Sequence, residues 1–132
     1  MRMTRNIGLK ALFKVANVSQ SEITEESIGF SIAPRINAVG RLEDATPAVH
    51  LLLSDDPEEA KELAEEIDEL NKLRKDIVKQ ITEEAIAEVE NNFPPEDNKV
   101  LVLAKEGWNP GVIGIVASKL VERFYRPTIV LC

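Results

Sequence analysis

The chain has 132 residues, of which 44% are apolar and 30% are charged, as expected for one globular domain or two small lobes. No apolar run reaches the roughly 18 residues that cross a bilayer, and no signal peptide follows Met1, so the sequence predicts a cytoplasmic protein without a membrane span. One cysteine, Cys132, and one histidine, His50, exclude an internal disulfide and argue against a local His/Cys metal site.

The net charge of −7 is distributed unevenly along the chain. Residues 57–92 contain 12 acidic and 5 basic side chains and account for the whole net charge. Residues 1–41 contain six Lys and Arg side chains against three Glu. This weakly basic segment remains compatible with a phosphate-bearing ligand.

The N-terminal third predicts one helix followed by irregular structure. Apolar residues recur at helical spacing over residues 7–17. Thr24 is a plausible N-cap that leads into a turn at Gly29. Residues 30–41 show neither helical nor strand periodicity, so we expect an irregular loop there.

Two further helices are predicted from their start signals. Thr46-Pro47 suits the N-cap and first turn of a helix that ends at Leu53. A proline and two acids then open a run of residues 57–92, where apolar positions fall three or four apart until Asn91-Asn92 and two prolines. We expect one long helix that connects two lobes or forms a coiled coil; the alternative is a hairpin of two shorter helices.

The last third predicts a strand, a helix and a second strand. Residues 99–104 and 127–131 are β-rich, and residues 107–124 contain a loop and a helix. Two parallel strands with one crossover helix cannot bury both faces of a sheet. We therefore expect the chain to be a fragment of a larger protein.

The predicted loop is the first candidate site, because it contains Arg35, Asn37 and Arg41. A guanidinium group is a planar donor that suits phosphate oxygens, and the glycines at the loop's ends allow close backbone approach to a ligand. The alternative is that both arginines pair with Glu43, Asp44 or the long helix.

The second candidate site is the segment from Trp108 to Ser118, which includes Asn109, Gly111 and Gly114. Backbone N–H groups at a helix start can hold an anion, and Trp108 offers a surface on which a base or sugar can stack. Alternatively, Gly114 permits close helix–sheet packing and Trp108 is a core residue.

The sequence contains no complete catalytic apparatus. Asp44, His50, Asp55 and Asp56 cluster only in sequence, and Asp55 and Asp56 are better explained as acids at a helix start. No Ser–His–Asp set and no P-loop can be assembled.

Three ordered motifs resemble the RecJ family of single-stranded-DNA exonucleases, in the DHH phosphoesterase superfamily. They are the run IAPRINAVGRL at residues 32–42, the acidic helix after Ser54-Asp-Asp-Pro57, and the run GWNPGVIGIVASK at residues 107–119. The resemblance extends from about Gly8 to Leu131.

The resemblance implies an α/β architecture in three parts. Residues 1–56 would be the helical end of the catalytic DHH domain with the arginine-containing loop, residues 57–92 the long interdomain helix, and residues 93–132 the truncated, βαβ start of the DHH-associated domain.

The resemblance also implies a function for the parent protein: a manganese- or magnesium-dependent exonuclease that degrades single-stranded DNA from the 5′ end, in recombination and repair. Single-stranded-DNA-binding protein and repair helicases are candidate partners. The family's metal ligands lie upstream of Met1 and a His-containing motif lies downstream of Cys132. We therefore expect this chain alone to bind no metal and to be inactive.

The family's site residues map onto this sequence by motif. Arg35, Asn37 and Arg41 match the arginine-containing segment near the DNA cleft, which implies phosphate binding. The second substrate-binding set matches the part of the other lobe that faces the cleft: Trp108, Asn109, Gly111, Gly114 and Ser118. Position 109 is Asn where many relatives have His, so the resemblance implies a hydrogen bond to substrate rather than acid–base or metal chemistry there.

Two alternative functions stay open at this point. One is a DHH-type phosphodiesterase that acts on short oligonucleotides or cyclic dinucleotides. The other is a non-catalytic coiled-coil interaction module, in which the helix over residues 57–92 would be the functional element.

Overall fold

A computed structural model describes all 132 residues and divides them into two compact units, Met1–Leu73 and Arg74–Cys132. The elements in chain order are α1 (Ile7–Val15), a 3₁₀ turn (Gln20–Glu22), α2 (Glu25–Ser27), a π-helical turn (Ile28–Ile32), α3 (Ala33–Leu42), α4 (Thr46–Leu53), α5 (Pro57–Asn92), β1 (Leu101–Ala104), α6 (Ile113–Phe124) and β2 (Thr128–Leu131). None of the helices combines the length and the apolar character needed to cross a membrane.

Unit 1 is entirely helical. Its core is formed by apolar side chains of α1, α3, α4 and the first half of α5, among them Leu12, Val39, Leu51 and Ile67. Helix α1 begins at Asn6, whose side chain accepts a hydrogen bond from the Leu9 N–H. The predicted helix over residues 7–17 is therefore confirmed, although it ends at Val15, two residues before the predicted end.

Helix α1 packs closely on α4 at Gly8. A Cβ atom at this position would overlap the backbone carbonyl of Leu51. Glycine is thus required here by contact and not by backbone conformation, because Gly8 does not have a positive φ.

The predicted loop at residues 30–41 is wrong, because the chain is helical there. Thr24 and Ser27 form a reciprocal capping box that starts this helical stretch, so Gly29 lies in a helix and not in a turn.

Pro34 explains why the helical pattern is hard to detect in the sequence. A proline inside a regular helix clashes with the carbonyl four residues earlier. Here a π-helical turn precedes it, with the Ala33 N–H donating to the Ile28 carbonyl, so the backbone is wider where the ring enters.

Helix α4 confirms the predicted start signal with a shift of one residue. The structure places the N-cap at Ala45, with Thr46 in the first turn and Pro47 behind it. The Asp44 carboxylate takes over the capping role by accepting from both the Thr46 N–H and the Thr46 hydroxyl.

Helix α5 is continuous over 36 residues, so the hairpin alternative is wrong. At 1.5 Å per residue its length is roughly 54 Å. Its N-terminal half contributes Ala60, Ala64 and Ile67 to the core of unit 1, and its C-terminal half contributes Ile81 and Val89 to unit 2.

Unit 2 contains the predicted strand, helix and strand. Strands β1 and β2 are parallel, with Leu101 opposite Thr128 and Ala104 opposite Leu131. Leu101 and Leu103 of β1 are buried while the alternating Val102 is exposed. Helix α6 contributes its buried stripe to the same core: Val112 (at its N-cap), Val116 and Leu120.

Candidate nucleic-acid interface

Arg35 lies on α3 and is bound to α5 by an ion pair. Its Nε donates to Asp68 Oδ1 at 2.8 Å, and its Nη1 donates to the Ser31 carbonyl at 2.6 Å. The side chains of Arg35 and Asp68 are only 16% and 15% exposed. The structure thus shows the alternative arrangement, in which Arg35 pairs with the long helix. Two nitrogens of its guanidinium group, Nε and Nη1, already donate to acceptors within the chain.

Asp68 receives a second cation, because Lys72 Nζ lies 3.2 Å from its Oδ2. Partial burial by itself raises the pKa of the Asp68 carboxyl, but hydrogen bonds from Arg35 and Lys72 outweigh this effect and leave the pKa below its ordinary value. The carboxylate therefore stays charged and holds Arg35 in place near neutral pH.

Asn37 and Arg41 lie on the exposed side of α3, four residues apart and so on neighbouring turns of one face. Phe30, in the π-helical turn that precedes α3, is 79% exposed. Unit 1 thus presents an amide and a guanidinium on its surface, whereas the third candidate of this set, Arg35, lies largely beneath it.

Trp108 is a core residue of unit 2, with only 7% of its surface exposed. Its Nε1 donates to Glu84 Oε2 at 3.1 Å, and Lys105 Nζ lies 2.6 Å from the same oxygen. The buried ring offers no open face for stacking, so the structure favours the core alternative for this residue.

Glu84 connects α5 to the loop between β1 and α6. The hydrogen bond from Lys105, followed by that from Trp108, lowers the pKa of the Glu84 carboxyl to about 2. Glu84 is therefore ionised at neutral pH, and it fixes the loop segment that begins at Lys105 and continues to Asn109.

Asn109 shapes the turn that leads into α6. Its side-chain Oδ1 accepts from the Gly111 N–H at 2.8 Å, and its backbone carbonyl accepts from the Val112 N–H at 3.1 Å. No side chain caps the first turn of α6, in which the Ile115 N–H donates to the Val112 carbonyl at 3.0 Å.

Gly114 and Ser118 lie one turn apart on the exposed surface of α6. No atom lies within 4 Å of a Cβ built at Gly114, so close helix–sheet packing does not explain the glycine. The Ser118 hydroxyl donates to the Gly114 carbonyl at 3.2 Å. Both positions are accessible to a ligand.

The 132 residues contain no group of three or more His, Cys, Asp or Glu side chains that could hold a metal ion. His50, the single histidine, is exposed on α4 and belongs to no such group. The residues of this chain therefore do not fit a catalytic metal centre.

Sequence reasoning missed Asp68 and Glu84. They lie 33 and 24 residues from Arg35 and Trp108, and no local pattern connects such distant partners. It also missed Lys75 and Lys79, although their spacing of four residues on a predicted helix is a signal that they share one face.

The sequence of this chain is similar to part of the sequences of known exonucleases. No family model matches the chain. The single-stranded-DNA-specific exonuclease RecJ of Bacillus subtilis is 57% identical over 131 residues, which are 99% of this chain and 16% of that protein. RecJ of Escherichia coli is 41% identical over 124 residues, covering 92% of this chain and 22% of that protein. The chain matches a segment of RecJ.

Solved RecJ structures have the same fold over this segment. RecJ of Thermus thermophilus in complex with Mg²⁺ superimposes with a TM-score of 0.84 and 33% identity, over 96% of this chain and 19% of that chain. A second structure, of exonuclease RecJ bound to manganese, gives a TM-score of 0.83 at 34% identity and covers 31% of that chain. These matches confirm the resemblance to RecJ and the expected helical architecture with a small parallel sheet.

The chain spans only about a fifth of the length of the RecJ relatives that it matches. The bound metals belong to those solved relatives.

Proposed function

We propose that this chain is part of a single-stranded-DNA-specific exonuclease. The observation that carries the proposal is the 57% identity to B. subtilis RecJ over 99% of the chain, with the same backbone fold in solved RecJ structures. The chain contributes substrate contacts and architecture, and the metal ligands come from the parts of the protein outside these 132 residues.

The finer properties of the parent follow from the same resemblance. We propose that it depends on manganese or magnesium, digests single-stranded DNA from the 5′ end, works in the cytoplasm, and serves recombination and repair together with single-stranded-DNA-binding protein and helicases. Two RecJ relatives have been solved with these two metals, which supports the metal dependence.

We assign the three parts of the chain to the proposed RecJ domains. Residues 1–56 are the helical end of the DHH domain, residues 57–92 the interdomain helix, and residues 93–132 the start of the DHH-associated domain. The division of the described residues into two units that share α5 supports this assignment.

The site roles differ between the two arginines. We propose that Arg41 and Asn37 contact substrate phosphates, because both are exposed on one face of α3. Arg35 supports that face through its ion pair with Asp68 and offers its remaining donors to the strand.

In unit 2 we propose that Gly114 and Ser118 contact the strand through backbone and hydroxyl groups at the start of α6, beside the turn in which Asn109 holds the Gly111 N–H. Asn109 acts by shaping this helix start, and Trp108 by anchoring the loop to Glu84.

A nuclease assay tests the proposal. Manganese-dependent nucleotide release from 5′-phosphorylated single-stranded DNA is measured for this chain, for a chain extended at both ends to RecJ length, and for the extended chain with Arg35→Ala or Arg41→Ala. We expect activity only in the extended chain, with a loss of about tenfold or more in each variant, as expected for one lost charged contact to phosphate.

Two outcomes would favour the alternatives. If the extended chain cleaves dinucleotides but not long strands, the oligonucleotide phosphodiesterase replaces the exonuclease. A coiled-coil module is not favoured, because the apolar stripe of α5 is buried inside the chain along both halves, at Ala60, Ile67, Ile81 and Val89. Concentration-dependent dimerisation through that stripe would contradict this conclusion.

A further inference from the structure

A groove in unit 2 runs between the C-terminal half of α5 and helix α6. It has a volume of about 520 Å³. Val78 and Ile115 provide its apolar surface. Its polar side chains are Arg74, Lys75, Lys79, Thr82, Glu83 and Lys119. We call it the α5–α6 groove.

Positive charge is concentrated in this groove. Residues 74–132 contain eight Lys and Arg side chains, four of which line it, together with a single acid, Glu83. The three lysines are exposed, and none of them takes part in an ion pair. A cationic groove in a chain of net charge −7 favours an anionic ligand at this place.

The basic residues follow one line along α5. Lys75 and Lys79 are one turn apart, and Thr82 continues the same side of the helix. From Arg74 to Thr82 the helix rises roughly 12 Å, so these side chains form an elongated row. Lys119 lines the same groove from the other wall, on α6. The arrangement suits an extended polyanion better than one small ion.

Thr82 adds an independent observation. Its Oγ1 is buried and has no hydrogen-bond partner. Buried hydroxyl groups are nearly always paired, because leaving one unpaired is costly. In helices threonine divides between two χ1 rotamers, so this hydroxyl can turn toward a ligand in the groove without giving up an existing bond.

We propose that the α5–α6 groove binds the sugar-phosphate backbone of a single nucleic-acid strand. Lys75, Lys79 and Lys119 contact its phosphates from both walls, and the Thr82 hydroxyl donates to the bound strand. This proposal rests on the proposed function, since it assigns the strand as ligand. It adds a contact surface outside the Arg35–Arg41 and Trp108–Ser118 segments.

Fluorescence anisotropy with labelled oligo(dT) and the 132-residue chain tests the groove directly. The variant Lys75→Gln/Lys79→Gln/Lys119→Gln is compared with Lys10→Gln/Lys14→Gln/Lys61→Gln, which removes the same charge from three exposed lysines of a groove in unit 1. We expect the first variant to bind at least tenfold more weakly than wild type and the control to lose less than threefold. The slope of log K against log [salt] should fall in magnitude by about 2 in the first variant, at roughly 0.7 per lost contact.

Thr82→Val separates ligand binding from folding. Valine has the same shape without the unpartnered hydroxyl, so we expect the chain to become more stable while strand affinity falls about threefold, the effect of one neutral hydrogen bond. Unchanged affinity in this variant would remove Thr82 from the site.

Three results would overturn the groove as a strand site: no binding of oligo(dT) by the wild-type chain, equal losses in the two triple variants, or duplex DNA binding as tightly as the single strand. None of them would affect the exonuclease proposal, which is tested by nucleotide release from the extended chain. Conversely, the extended chain could release no nucleotides while the groove still binds oligo(dT). That result would reject the exonuclease proposal and support the groove as a binding site.

Discussion

At the scale of single residues, contacts that no sequence pattern reveals decide the roles of the candidate residues. The sequence predicts that Arg35 and Trp108 meet substrate, and in the structure each makes a hydrogen bond to a carboxylate on α5. Arg41 and Asn37 remain on the surface. Residue type and motif thus predict candidate residues, but they cannot separate exposed candidates from buried ones that bind to α5.

Gly8 and Gly40 allow a matched test of why a helix contains glycine. Gly8→Ala forces a methyl group into the Leu51 carbonyl, so we expect a loss of about 1–3 kcal/mol in the free energy of unfolding. Gly40 has open space around it, and Gly40→Ala should gain about 0.5–1 kcal/mol from helix propensity. Urea titration measures both; equal effects of the two variants would contradict the packing explanation.

Glu84 predicts a stability change at low pH. Its folded-state pKa of about 2 lies below the ordinary value of 4.5, so its contribution is present above about pH 4.5 and is lost as pH falls toward 2. We expect Glu84→Gln to be less stable than wild type at pH 7, with the difference shrinking between pH 4.5 and 2. Urea midpoints measured across this range check it. Glu88→Gln, an exposed position on α5 without an ion pair, serves as the control and should show no such convergence.

At the scale of elements, the sequence predicted well wherever the start and stop signals were local. Helix α5 begins at Pro57 and ends at Asn92 because proline and acids suit its first turn and two prolines follow its end. The prediction was wrong for residues 28–42, where such regular local signals are missing. Two glycines, a proline and a change from π to α geometry disrupt the regular 3.6-residue spacing on which the prediction relies.

The contact between α3 and α5 can be tested by a double-mutant cycle. Arg35→Ala, Asp68→Ala and the double variant should give a coupling energy on the order of 1 kcal/mol in the free energy of unfolding, since the pair is largely shielded from solvent. A coupling near zero would mean that Arg35 is not held by Asp68. The loss of nuclease activity in Arg35→Ala would then have to come from the substrate alone.

At the scale of the whole molecule, two units with separate cores share one helix. The sequence indicated this organisation through the length of α5 and the change from helical to β-rich composition after it. It could not identify the α5–α6 groove, because that surface combines residues of α5 with Lys119, 40 positions further along the chain than Lys79.

Leu12 and Leu120 provide a matched test of the two cores, since both are leucines with no exposed surface. Each Leu→Ala change should cost about 2–5 kcal/mol. We expect hydrogen–deuterium exchange to accelerate mainly in α1, α3 and α4 for Leu12→Ala, and in β1, α6 and β2 for Leu120→Ala. Uniform acceleration throughout both variants would show that the chain unfolds as a single cooperative body.

The π-helical turn at Ile28–Ile32 limits how this region tolerates changes in length. Such a turn behaves as an α-helix carrying one inserted residue, so deleting Ser31 would let an ordinary helix form. Because the wider turn absorbs the extra residue, the side chains after this deletion would keep nearly the same direction around the helix axis. Deleting Ser31 would therefore leave Arg35 facing Asp68, whereas deleting Ala38, inside the regular part of α3, would turn Arg41 by about 100° relative to Asn37.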